Sequence, residues 1–411
     1  MNWLRPLAAR SLLLVTCTLV LLAGCATAPS EYREPPPLAA AERTAHNLRV
    51  FERTWELVNE KYFDARFRGV DWPAMRAKHR PEALAAADDT ALYRALNRLC
   101  AELKESHLAA IAPRRAYELR TEHRASVGFR LQLLEDRRVV TDVVPRSPAA
   151  IVGVETGWLA VSRNGAPIQE NSPYIPTLGQ PVTYGFVDAQ DQPHSLTMEP
   201  QLINFDQLVI RELPGGYLYL RFDEFSRKSL HWLSEQLKAH ASAPGIVLDL
   251  RYNPGGNMLA LNVALAEFFP KPVNAGRMVK RSGRERENQS LSWLSARYAG
   301  RIAILTDKST GSAAEIFSHV LQQYKRATVI GQGTAGAVIV SRSYALPGGG
   351  RLQVPVSDYI GLDGHRLEGR GVTPDVASPV PTLAQLRAKI DPDIEVALQI
   401  LQQTTPQPSG T

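Results

Sequence analysis

Apolar residues at three- and four-residue steps mark the first structured part of the chain. Phe51, Trp55, Val58 and Tyr62 fall on one helical stripe, and Leu92, Leu96, Leu99 and Leu103 fall on another. Residues 43–116 therefore read as helical. From about residue 126 the period changes: Phe129-Arg-Leu-Gln-Leu and Val139-Val-Thr-Asp-Val-Val are short β-like segments set between turn residues. Beyond residue 216, apolar runs alternate with helical patterns. Strands are predicted at 217–222, 246–250 and 302–306, and helices at 257–269, 313–326 and 391–402. Strand–helix alternation of this kind predicts an α/β layer.

The ends of the chain are of a different character. Arg5 and Arg10 precede an apolar run, and small residues lead to Cys25, as in a secretory signal. That run is too short to span a bilayer comfortably, which takes roughly 20 apolar residues. Leu22-Ala-Gly-Cys25 resembles the bacterial lipobox, which implies lipidation at Cys25, a membrane anchor and a place in the cell envelope. Ala26 after that cysteine favours the outer membrane under the general sorting rule. Residues 1–24 then form the signal and 25–42, with Pro35, Pro36 and Pro37, a tether. Cys100 is left without a disulfide partner and sits in an apolar pattern, as a small buried residue would. The formal charge of +6 is spread along the chain, with no dense basic cluster to suggest nucleic acid. No His/Cys/Asp/Glu grouping has zinc spacing and no phosphate-cradling Gly loop precedes Lys-Ser/Thr, so neither metal nor cofactor is expected.

Two segments can carry chemistry. In Ile302-Ala-Ile-Leu-Thr-Asp-Lys-Ser-Thr-Gly-Ser312-Ala-Ala-Glu a strand runs into a small-residue turn and a helix follows. Ser312 then lies at a helix N-terminus, where unpaired N–H groups favour negative charge. A nucleophilic serine fits there, with the Ala313 amide as an oxyanion donor; so does an ordinary N-cap serine. The second segment, Asp249-Leu-Arg-Tyr-Asn-Pro-Gly-Gly256, is a strand ending in Gly255 and Gly256, whose N–H groups can supply a second donor.

Taken together with Leu103-Lys-Glu-Ser106-His107 and Glu368-Gly-Arg-Gly-Val-Thr-Pro-Asp375, these segments resemble the tail-specific or C-terminal processing protease family over the whole mature chain. The resemblance implies an α+β multidomain protein: an N-terminal helical domain (43–122), a PDZ-like β-domain (125–203), a crotonase/Clp-protease-like α/β peptidase core (204–385) and a C-terminal helix and tail (386–411). The stretch with Gly128-Phe129, Ser147-Pro and Asn164-Gly165 resembles a PDZ domain, which takes an extended peptide as an added strand. Many family members activate the serine with a lysine in Gly-x-Thr-x-Gly-Lys, but here Gly331-Gln-Gly-Thr-Ala-Gly336 is followed by Ala337. The tricorn-like branch uses a Ser-His pair and a later glutamate instead. Ser106, His107 and Glu368 match these, so the resemblance implies that His107 deprotonates Ser312 and Glu368 orients His107 directly or through the Ser106 hydroxyl. Lys308 and His365 remain rival bases. Lys325 and His319 stand roughly 20 Å and 10 Å along the helix from Ser312, at 1.5 Å per residue, and Glu315 reads as structural. The expected activity is serine endopeptidase or carboxyl-terminal processing of peptide or unfolded protein substrates through an acyl-enzyme. The alternative is a catalytically inactive, peptide- or apolar-ligand-binding envelope lipoprotein.

Overall fold

The computed structural model describes residues 32–168, 176–291 and 298–403; the signal segment, Cys25 and most of the tether lie outside them. The helical stripes form as expected. Helices run Ala40–Lys61, Trp72–Leu84 and Asp89–Ala101, the last two opened by Asp71 and Asp88 side chains that accept first-turn N–H groups. Phe51, Val58, Tyr62, Leu92, Leu96 and Leu99 are fully buried together. Trp55 is only partly buried and donates its indole N–H to the Trp72 carbonyl. The helical reading of 43–116 breaks near its end. After Ala101 the chain turns through left-handed Lys104 and enters a strand, Ala109–Ile111, paired antiparallel with Arg351–Gln353. Leu346, Leu352 and Val354 complete the helical core, so this region is built with the late sheet rather than alone.

The middle region is an antiparallel sheet in the order Phe129–Leu134, Arg137–Val143, Leu159–Arg163, Val182–Val187 and Pro193–Met198. A single helical turn, Pro148–Ile151, is capped by Ser147. Phe129 meets Tyr184 and Phe186 edge-on in its core.

The third region holds a six-stranded sheet ordered Leu208–Leu213, Tyr217–Phe222, Gly245–Asp249, Arg301–Thr306, Thr328–Gly331 and Val376–Ala377. The first pair is antiparallel and the rest are parallel. Parallel strands are covered on both faces, which is why 246–248 and 302–305 are apolar without interruption. Alternate residues go to opposite sides. Ile246, Leu248, Ile302 and Ile304 pack with the Met258–Ala266 and Ala313–Gln323 helices. Val247, Ala303 and Leu305 pack with Ala397 and Leu401 of the Pro392–Gln402 helix. All three helices are shorter than the periodicity predicts: Asn257 and Asp391 act as caps rather than first residues. No helix among the described residues is long and apolar enough to cross a membrane.

Candidate active site

The Arg301–Thr306 strand delivers a loop that is tied down before it reaches Ser312. The Thr310 hydroxyl donates to the Leu250 carbonyl at 2.8 Å, and the Gly311 N–H donates to the Asn253 carbonyl at 3.0 Å. Ser312 itself has φ 51° and ψ −117°, a conformation that side chains rarely adopt and that costs of order 1–3 kcal/mol unless its surroundings hold it. Two acceptors hold it: the Ser312 N–H faces the Ala337 carbonyl and a Glu315 carboxylate oxygen, each at 2.9 Å. The Ser312 side chain makes no capping hydrogen bond. Ser312 thus stands at the N-cap position without capping through its side chain, and its hydroxyl is left free beside a cavity of about 510 Å³.

Glu315 is fully buried and accepts three more bonds, from the Thr334 hydroxyl at 2.5 Å and from the Gly336 and Ala337 amides at 2.7 and 2.9 Å. Burial raises its carboxyl above the ordinary range, and these four donors pull against that rise. Its structural reading from the sequence fits: one carboxylate clamps the serine turn to the 334–337 loop.

The two glycines divide their work. The Gly255 N–H is already taken by the Asn253 side-chain oxygen at 2.9 Å, whereas those of Gly256 and Ala313 have no partner among the described residues. Gly255 instead makes room: a Cβ built there would stand 2.6 Å from the Ser312 Cβ and 2.8 Å from the Ala313 nitrogen. Asn253, fully buried, also donates to the Phe222 carbonyl at 2.9 Å. It went unnoticed in the sequence, although an Asn before Pro-Gly-Gly is a turn former whose side chain binds the backbone two residues on. The strand feeding this loop is pinned from the other side. Burial opposes charge on Asp249, but the Arg251 guanidinium against it holds its carboxyl at about 2. Arg251 also reaches Asp391 at 2.6 Å and Asp393 at 3.0 Å, at the start of the C-terminal helix.

The turn after Ala101 carries Ser106 and His107, which are joined to the serine loop through Glu368. The Ser106 hydroxyl lies 2.7 Å from His107 Nδ1. Glu368, 9% exposed, accepts from the Ser106 backbone N–H at 3.1 Å and from the Val338 N–H at 2.5 Å. Its contact is therefore with the Ser106 main chain, not its hydroxyl and not the imidazole. Because Val338 follows Ala337, one peptide unit joins the two halves: its carbonyl takes the Ser312 N–H and its amide holds Glu368. Neither the Ser312 hydroxyl nor His107 Nε2 has a hydrogen bond among the described residues. Burial pushes the imidazole below its ordinary value, while the charges of Glu368 and Glu105 oppose that shift.

Lys308 and Lys325 are exposed, and His365 is exposed beside Asp363. His319 is buried, with its Nε2 accepting the Leu362 N–H at 3.1 Å. No cluster of metal-binding side chains occurs among the described residues.

A serine at a strained strand-to-helix turn, with free amides beside it and a serine–histidine pair carried in by another part of the chain, defines a class: a serine-type peptidase. Residues 216–378 match peptidase family S41 and residues 44–101 match the tricorn protease C1 domain. The chain is a serine-type peptidase, and its 216–378 region is similar to family S41. A carboxyl-terminal-processing protease of Synechocystis sp. is 26% identical over 381 residues, 85% of each chain. Another, from Picosynechococcus sp., is 23% identical over 85% of this chain and 88% of its own. Among solved structures, a photosystem II D1 C-terminal processing protease aligns with TM-score 0.58 and 20% identity, over 88% of this chain and 98% of its own. The tricorn protease aligns with TM-score 0.54 and 18% identity, over 87% of this chain and 36% of its own. These likenesses show a shared mixed α/β fold, and relatives named as proteases do not favour the inactive binding-protein alternative.

Proposed function

We propose that the protein is a carboxyl-terminal processing or endo-acting peptidase in which Ser312 is the nucleophile and His107 its base. His107 Nε2 takes the proton of the Ser312 hydroxyl as the oxygen attacks a peptide carbonyl. The oxyanion sits between the Gly256 and Ala313 amides, which are preorganised by the turn and spend nothing on reorientation. The protonated imidazole then gives its proton to the leaving amine, and water, deprotonated by the same nitrogen, resolves the acyl-enzyme. Glu368 acts through Ser106 as a positioning residue. The observation that carries this reading is the free Ser312 hydroxyl on a strained turn that is hydrogen-bonded, through the 337–338 peptide unit and Glu368, to the Ser106–His107 segment.

Residues 125–203 act as a PDZ-like domain that captures a peptide end, and 204–385 as a crotonase/Clp-protease-like core. In support, a cleft of about 780 Å³ along Val127, Phe129 and Leu131 shares Arg124 and Phe205 with a groove of about 440 Å³ that ends at Gly255 and Gly256. A captured chain thus has a continuous path to the oxyanion amides. Lipidation at Cys25 would hold the enzyme at the envelope, facing the periplasm, with the outer membrane as its site.

The test uses the protein without residues 1–25, a mixed peptide library and a fluorophosphonate probe. Library peptides are expected to be cut and one probe molecule per chain to be found on Ser312 by peptide mass mapping. No cleavage, or labelling elsewhere, rules the proposal out.

The buried imidazole gives a signed pH prediction. A base held below its ordinary value, about 6.5, stays neutral into mildly acidic solution, so the acid limb of kcat/KM should lie below pH 6.5. Glu368→Gln removes a charge that raises the His107 pKa, so the limb should move to still lower pH while kcat falls. The amide also offers one oxygen where two N–H donors need one each, which should cost about 1–3 kcal/mol in stability. A pH–rate profile beside a denaturant melt reads both; a limb that moves up in pH would contradict the account.

A further inference from the structure

The cavity beside Ser312 has an unbalanced wall. Gly256, Asn257 and Met258 border one side, residues 338–342 border the other, and Ile316 lines it with the serine. Met258, Ile316, Val338, Ile339 and Val340 are apolar, and Arg342 is the one charged residue on this wall. Its guanidinium is exposed and has neither an ion pair nor a hydrogen bond among the described residues. Its surroundings offer it none: its cross-strand partner is Val354, and the flanking hydroxyls of Ser341 and Ser343 are engaged by Gln353 and Arg351. Other arginines near the site are committed, Arg366 to Asp358 at 2.7 Å and Arg370 to Asp363 at 2.6 Å.

Arg342 also lies where a bound peptide would pass. The Val340–Ala345 strand pairs only with Arg351–Ile360 among the described residues, which leaves its other backbone edge open. An extended substrate can add to such an edge as a further strand. Arg342 lies five positions after Ala337, whose carbonyl holds the Ser312 N–H, a span of at most about 18 Å. A substrate strand rises about 3.3 Å per residue, so Arg342 faces a position within about five residues of the bond being cut.

We propose that Arg342 forms a carboxylate subsite of the cleft, selecting peptides that carry a negative charge within about five residues of the cleaved bond. An acidic side chain and the substrate's own C-terminal carboxylate present the same group, and a guanidinium fork suits either. This assignment rests on the reading of Ser312 as the nucleophile.

The experiment compares the protein lacking residues 1–25 with its Arg342→Gln and Arg342→Glu variants on quenched alanine- and leucine-rich decapeptides. One pair of substrates ends in a free carboxylate or a carboxamide. Further pairs carry Glu or Gln at single positions on either side of the cut. The parent should favour the charged member of at least one pair by up to about fivefold in kcat/KM, the range of an exposed ion pair, and less so in 1 M salt. Arg342→Gln should remove the preference and Arg342→Glu reverse it. A preference confined to the terminal pair assigns the chain end as the ligand, and one at an internal position assigns an acidic side chain. Equal ratios in all three proteins overturn the subsite. Anisotropy of the same peptides, dye-labelled, on Ser312→Ala and on Ser312→Ala/Arg342→Gln separates the two readings. A charge preference in binding that needs Arg342 upholds the subsite even if Ser312 proves inert, and its absence there too rejects it.

Discussion

Ser312→Ala should lower kcat by roughly 10⁵–10⁶, and His107→Ala by a similar factor, with the double variant little worse than either. A nucleophile and its base act as one unit: without the base the hydroxyl keeps its proton, and without the hydroxyl the base has nothing to activate. The same substitution should hardly touch stability. Alanine keeps the Cβ that already occupies the strained conformation, and the hydroxyl it removes makes no capping bond, so the stability should stay within about 0.5 kcal/mol of the parent. Single-turnover cleavage of a peptide chosen from the library, measured beside a thermal melt, checks both halves. A Ser312→Ala protein retaining more than a hundredth of the parent rate would remove this serine from the mechanism.

Gly255→Ala should also be damaging, for a steric reason. The new methyl carbon would stand 2.6 Å from the Ser312 Cβ and 2.8 Å from both the Ala313 nitrogen and the Gly311 oxygen, at a φ of +109°. Those neighbours are backbone and the first carbon of a side chain, so no flexible tip can swing away. Either the Gly-Gly loop or the serine turn must retreat, and a displacement of about 1 Å at an oxyanion site costs on the order of 10²-fold or more. Global stability should fall by about 1–3 kcal/mol. Gly283→Ala is the matched control: it too has positive φ, at +75°, but nothing lies within 4 Å of its added carbon. It should lose only about 1 kcal/mol of backbone preference and no activity. Equal kcat/KM for the two variants would mean that Gly255 does not set the spacing between the two amides.

What could be read in advance follows the range of the forces involved. The 246–250 and 302–306 strands announce themselves because a parallel strand is apolar on both sides, and the serine turn because a strand, small residues and a helix follow one another within a few positions. Asn253 did not stand out: a loop asparagine looks alike whether its side chain meets water or, as here, the Gly255 amide. Glu315 read as structural, but its three loop donors lie 19 to 22 residues further on. The Ala109–Ile111 strand is too short to show a period, and its partner lies some 240 residues away. No local pattern connects Ser106 to Glu368 across 262 positions. Only the family resemblance suggested it, and it did not foresee that the main chain of Ser106, rather than its hydroxyl, meets the carboxylate.

The peptide unit between Ala337 and Val338 bears on how such a site can drift over evolutionary time. Where the family resemblance implies the side chain of a lysine, this chain uses at the same position a main-chain carbonyl and amide, atoms that every residue but proline possesses. A gene encoding it presents a small mutational target at codon 337: exchange of Ala337 for serine leaves the carbonyl toward Ser312 and the amide toward Glu315 in place. Proline, which lacks that amide, is the substitution that selection should remove. A lineage at this point is free to explore the codon without first losing its peptidase.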